Sequence, residues 1–335
     1  MQNANKAAIG FAASVGLYLS ISSVGAFFNL DMMGQSALNA LLVQVIAIYL
    51  PACFIMKGRD VREFGVRKTG ATEIMLAIAM AVGCFFLVTG ANGVITTLLE
   101  YAGADFSLLE AASQMPVLSG WQSIVWIFLF CLVPAFTEEY MFRGALLHSW
   151  GGMGRIKAVL LTSLLFSLMH GNLSALPAYM IIACVLGGMT VRSKSVIPSM
   201  VTHFCYNLLV LGYWTAVQGM EQTEAASAGA VWAEFLSFVG IGALLTGTFF
   251  AAFAVVCRNK YGAPAKKSFL SYKPIQTADG SIGANAAFFK GRPGECPGYN
   301  KATVGVCIGI AAGLLFLMGL LSFVILFIDF PFMGI

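Results

Sequence analysis

The sequence predicts an all-α fold, a polytopic bundle of membrane helices. Three observations predict it. Of the 335 residues, 59% are hydrophobic and only 10% charged, against about 25% charged in soluble domains. The apolar residues fall in long unbroken runs. The basic residues fall between those runs in a one-sided pattern. Together these exclude a soluble enzyme.

Nine runs are candidates to cross about 30 Å of hydrocarbon: 7–28, 37–56, 74–99, 121–142, 156–170, 176–191, 196–217, 231–256 and 302–328. The first is longer than the apolar part of a secretory signal and reads as an anchor. The fourth contains Pro134, which removes a backbone donor and predicts a kink. The fifth and sixth are short and read as tilted or partly re-entrant. The polar stretch 258–301 is rich in Gly and Pro and too poor in apolar residues to form a core of its own.

The basic residues set the orientation. Lys6 precedes the first run; Lys57, Arg59, Arg62, Arg67 and Lys68 follow the second; Arg143, Arg155 and Lys157 follow the fourth; Arg192 and Lys194 follow the sixth; eight more lie in 258–301. With alternating spans all 19 Lys and Arg fall on one side, as cytoplasmic loops require. The other loops carry Asp31, Glu100, Asp105, Glu110, Glu221 and Glu224. The expectation is nine spans, N-terminus cytoplasmic and C-terminus outside. The basic loop is a topology determinant that also suits anionic headgroups, so the net charge of +4 is no sign of nucleic-acid binding. Its compact loops fit a bacterial cytoplasmic membrane. The eight cysteines form no C-x-x-C pair and read as free thiols. Three segments are expected: an N-terminal three-helix segment over 1–120, a catalytic core over 121–217, and two C-terminal helices with the basic loop over 218–335.

The chemistry begins at the stretch FTEEYMFRG, where Glu138, Glu139 and Arg143 interrupt an apolar run. A charge near the bilayer centre costs about 2.5–3.5 kcal/mol on insertion scales. Glu139 and Arg143 are four apart with the acid first, the favourable order for a helical pair. Glu138 is turned roughly 100° away and is left over. By rise per residue it lies roughly 16 Å from Ser149, His170 roughly 22 Å from Arg155, and His203 roughly 12 Å from Ser195. The three fall in one depth band. Asn207 follows His203 by one helical turn on the same face, and Phe166 precedes His170 by one turn. His148 reads as an interfacial polar residue, Glu221 and Glu224 as solvated surface, and Asp329 as an interfacial helix end.

A lone intramembrane histidine is ordinarily interhelical glue, averaging about 0.6 kcal/mol. Four polar groups at one depth in so uncharged a chain point instead to a shared polar chamber. Glu138 there suits a general base on water, with His170 orienting that water. His203 and Asn207 suit donors to an oxyanion. Those are the parts of a peptide-bond hydrolase. The residues alone leave alternatives open. Glu138, His170 and His203 also make a zinc ligand set with water in the fourth position, although the H-E-x-x-H pattern is absent. A peptide-binding or bacteriocin-immunity protein would keep the same groups. So would a proton- or metal-coupled transporter, against which counts the lack of an internal repeat.

The ordered motifs E-E-x-x-x-R (Glu138 to Arg143), F-x-x-x-H (Phe166 to His170) and H-x-x-x-N (His203 to Asn207) resemble the CAAX protease and bacteriocin-processing (CPBP) family of intramembrane proteases, which includes the type II CAAX prenyl endopeptidases. The resemblance spans roughly 121–213. It implies Glu138 as water-activating base, His170 holding the water, His203 and Asn207 as oxyanion site, Glu139 and Arg143 as supporting residues and Phe166 as packing. It implies a membrane-associated peptide or protein as substrate, and leaves open both a metalloprotease and a metal-free glutamate mechanism.

Overall fold

The computed structural model describes residues 3–25, 34, 37–58, 65–106, 120–218, 228–262 and 301–327. Asp31, Arg59, Arg62, Glu110, Glu221, Glu224, Asp329 and nearly all of the basic loop lie outside them. Among the described residues the regular structure is helical, without strands. The helices are α1 (Asn3–Gly25), α2 (Asn39–Tyr49 running into Leu50–Met56), α3 (Ala71–Tyr101), α4 (Gln122–Trp150), α5 (Arg155–Leu168), α6 (Leu176–Ser193), α7 (Ile197–Gln218), α8 (Ala228–Tyr261) and α9 (Lys301–Ile325).

Five of these, α3, α4, α6, α8 and α9, are long and apolar enough to cross a membrane. This is an integral membrane protein. α5 has 14 residues and spans roughly 21 Å, which agrees with its short apolar run. Other helices outgrow their runs because polar residues continue them. α3 begins three residues before its apolar run, where the Glu73 carboxylate accepts the Gly70 N–H at 2.7 Å and closes the first turn. α4 continues through Arg143 and His148 to Trp150.

Chain direction alternates so that like ends meet. Lys6 on α1 donates to the Lys57 carbonyl after α2 (3.1 Å), and Trp150 at the end of α4 donates to the Ala4 carbonyl (3.3 Å). The Val196 N–H before α7 donates to the Gly65 carbonyl before α3 (2.8 Å), and Lys194 after α6 reaches the Tyr261 carbonyl at the end of α8 (3.0 Å). At the opposite end the Asp105 N–H, after α3, donates to the Leu326 carbonyl after α9 (2.7 Å).

Small residues set the closest helix contact. A β-carbon on Gly90 of α3 would stand 2.7 Å from the Val239 nitrogen of α8, and one on Gly83 would stand 2.7 Å from the Thr246 nitrogen. The α3 and α8 backbones therefore touch, the usual means of helix association where lipid offers no hydrophobic gain. A larger core joins α1, α2, α4, α5, α6 and α9 around Phe11, Ile55, Met141, Phe142, Leu165 and Leu315. All seven described cysteines are free thiols, as their spacing predicts.

Candidate active site

α4 is not a plain α-helix. It is wound as π-helix over Phe128–Leu132 and again over Tyr140–Leu146, with Val133–Glu139 α-helical between. The cause of the first bulge is local. Pro134 has no N–H for the Phe130 carbonyl four residues earlier. Val133 bonds back five residues to Phe128, and the Asn207 amide of α7 donates to the Phe130 carbonyl at 3.2 Å. The proline thus ties α7 to α4 one turn before the acids, and π-bulges are frequent at functional sites.

The acids divide their work as their spacing predicts. Glu139 is fully buried; its Oε1 accepts from Arg143 Nη1 at 2.6 Å and lies 3.1 Å from His203 Nδ1. Arg143, also buried, donates its second nitrogen to the Ala183 carbonyl of α6 (3.0 Å) and lays its guanidinium 4.5 Å over the Phe166 ring of α5. One ion pair therefore joins α4 to α5, α6 and α7. A carboxylate this deep needs that charge and those bonds to stay ionised.

Glu138 points elsewhere. Its Oε1 accepts from Gln44 Nε2 of α2 at 2.8 Å. Its Oε2 is buried and has no hydrogen-bond partner among the described residues. The nearest charged or imidazole nitrogen among the described residues is His203 Nε2, 3.9 Å away. That separation is too long for a direct bond and suits a bridging water.

The histidines come together through Phe166. Its ring lies 4.9 Å from the His170 ring and 5.9 Å from the His203 ring. His170 is exposed and stacks on Tyr179 at 4.3 Å. The Phe166 carbonyl lies 2.9 Å from His170 Nδ1; a carbonyl only accepts, so Nδ1 carries the proton and Nε2 keeps a lone pair in the neutral ring. The structure thus links Glu138, Glu139, Arg143, Phe166 and His203 in a chain of pairwise contacts, sets His170 beside them through Phe166, and attaches Asn207 one turn along α7.

Two sequence readings need amending. His148 is buried rather than interfacial: its Nδ1 lies 2.7 Å from the Arg143 carbonyl, and its ring packs on Gly65, where a β-carbon would stand 3.1 Å from it. Gly65 has φ +78°, a conformation that itself favours glycine. The zinc alternative finds no support: among the described residues no group of three or more His, Cys, Asp or Glu side chains is placed to hold a metal ion. Sequence reasoning missed Gln44, the one amide in the apolar stretch Leu41–Met56. Its signal was only a polar side chain where leucine would serve.

Helices apolar enough to cross a membrane that bury an acid, an ion pair and the His203 imidazole together define an acid–base site. Residues 120–209 match the family model described as type II CAAX prenyl endopeptidase Rce1-like, which supports the resemblance to the CAAX protease and bacteriocin-processing family. No curated protein and no solved structure was found to match the chain.

Proposed function

We propose that the chain is an intramembrane endopeptidase that hydrolyses a peptide bond of a membrane-associated peptide or protein with water activated by Glu138. One observation carries this reading: a buried carboxylate oxygen, Glu138 Oε2, is left without a partner beside the His203 ring. Glu139 Oε2 also lacks a hydrogen bond among the described residues, but that carboxylate is ion-paired to Arg143; Glu138 makes no ion pair to a described Lys or Arg, and an unsatisfied buried group costs about 1–3 kcal/mol, and more if charged.

In this reading a water lies against Glu138 Oε2 and the His170 Nε2 lone pair. Glu138 takes one of its protons as the oxygen bonds to the scissile carbonyl carbon. The carbonyl π pair moves onto oxygen, giving a tetrahedral oxyanion. That charge meets His203 and the second amide hydrogen of Asn207, whose first is directed at Phe130. To donate from Nε2 while Nδ1 serves Glu139, His203 must be doubly protonated. Collapse of the intermediate breaks the C–N bond, and Glu138 returns the proton to the leaving amine. Glu139 and Arg143 hold the His203 ring and the α5 wall. Water and substrate are proposed to enter on the His170 side of the site.

The family's name points to prenylated C-terminal peptides, and the substrate class proposed is a lipid-anchored peptide. The proposed topology keeps nine spans, N-terminus in and C-terminus out, in a bacterial cytoplasmic membrane. It is supported by Lys6, Lys57, Lys194 and Lys260 meeting partners at one end of the bundle. The test is cleavage of a farnesylated CAAX-type peptide in proteoliposomes, read by mass spectrometry. Glu138→Gln is expected to lose about 10²–10⁴-fold in turnover. Undiminished turnover would end the proposal, and protection or transport that survives Glu138→Gln would favour a binding protein or carrier.

A further inference from the structure

We propose that Gln44 is a positioning residue for Glu138, locked in one amide orientation by the Thr137 hydroxyl. The inference rests on the protease reading of Glu138 and extends its site to α2, a helix outside the matched segment 120–209.

The polarity of the chain is fixed by its acceptors. Gln44 Nε2 stands 2.8 Å from Glu138 Oε1, and Thr137 Oγ1 stands 2.5 Å from Gln44 Oε1. An ionised carboxylate only accepts. The amide must therefore turn its NH₂ to Glu138 and its oxygen to Thr137, which makes the hydroxyl the donor. With the amide reversed, its oxygen would face the carboxylate. Thr137 is buried; turning its hydroxyl to the competing Val133 carbonyl, 2.9 Å away on the same helix, would leave its oxygen against the Gln44 oxygen with no proton between them.

The backbone holds the amide in place. Gln44 sits in the π-helical stretch Asn39–Tyr49. The Ser14 hydroxyl of α1 donates to the Ala47 carbonyl in that stretch at 2.5 Å. The ring of Tyr49 packs against Phe136 and Tyr140 of α4 at 5.7 and 5.3 Å. α2 is thus held just beyond Gln44, at Ala47 by α1 and at Tyr49 by α4. The consequence falls on Glu138: with Oε1 engaged, the carboxylate plane is set and Oε2 is the oxygen left for a water proton. Residues 1–120 are then more than an anchor, since they supply part of the site.

The test is an infrared measurement on the full chain in lipid vesicles, joined to kinetics with a farnesylated CAAX-type peptide. The Glu138 carboxylate band is the one that Glu138→Gln removes. In Gln44→Met that band moves in frequency, and kcat falls about tenfold to a hundredfold with KM unchanged. In Thr137→Val the band moves the same way by less. The double variant matches Gln44→Met alone, because Thr137 acts only through the amide. A band unmoved in either single variant, or additive effects in the double, would overturn the proposal. Thr137→Val decides the matter if Gln44→Met does not fold. Cleavage surviving in Glu138→Gln would sink the protease reading, while the band shift would still judge Gln44.

Discussion

Among the described residues three glutamates are buried, and two of them on different helices, Glu73 and Glu138, are treated in opposite ways. Glu73, at the start of α3, is 1% exposed, and both oxygens are occupied. Lys260 Nζ lies 3.1 Å from each, the Tyr261 hydroxyl donates at 2.7 Å, and the Gly70 N–H donates at 2.7 Å. Glu138, 8% exposed, has one oxygen on Gln44 and one on nothing. The first arrangement is a clasp: it ties the start of α3 to the end of α8, two helices whose backbones touch further along. The second leaves a lone pair unspent beside two imidazoles. Burial alone does not mark a functional acid: Glu73 and Glu139 are each held by a cation, Lys260 and Arg143, and Glu138 by an amide.

The largest loss of stability is expected at the charge that supports Glu138's neighbours. Arg143→Met strands Glu139 in the core without a cation. Removing one partner of a buried pair costs about 3–5 kcal/mol, read as a lower midpoint in a thermal melt monitored by circular dichroism. A midpoint equal to wild type would show that the pair is not what holds α4 to α6 and α7.

Asn207→Leu comes next. It returns the Phe130 carbonyl to an unpaired state that Pro134 created. The expected loss is about 1 kcal/mol, and turnover falls further than this because the oxyanion donor goes with it. If Pro134→Ala in the same background restores stability but not turnover, the two tasks of Asn207 are separated. Restoration of both would deny it a part in the chemistry.

Lys260→Met is expected to do least. Its side chain is 44% exposed, and Tyr261 and the Gly70 N–H remain on Glu73. A small drop in melting midpoint, less than that of Arg143→Met, with unchanged turnover per folded molecule is the expected result. A loss of turnover as large as that of Glu138→Gln would make the Glu73 clasp part of the site and erase the distinction.

The sequence was informative where the signal was local. Glu139 and Arg143 pair because they are four apart on one helix, and Phe166 meets His170 for the same reason. The buried charges stood out because an apolar run has no other use for them. What it hid was non-local or compositionally quiet. Glu73 and Lys260 are 187 positions apart, and no periodicity links them. Gln44 is uncharged, so it left no mark in a charge count. The π-helical turns around Glu138 have a period that a 3.6-residue reading does not detect, and His148 is buried by the Gly65 turn, a contact 83 positions away by sequence numbering.

The most direct measurement sets the two acids side by side. Glu138→Gln and Glu73→Gln are placed in identical proteoliposomes with the same farnesylated peptide, and products are counted per folded molecule by mass spectrometry. Turnover abolished in the first and retained in the second is the predicted result. Equal turnover in the two variants would contradict the assignment of hydrolysis to the unpaired carboxylate.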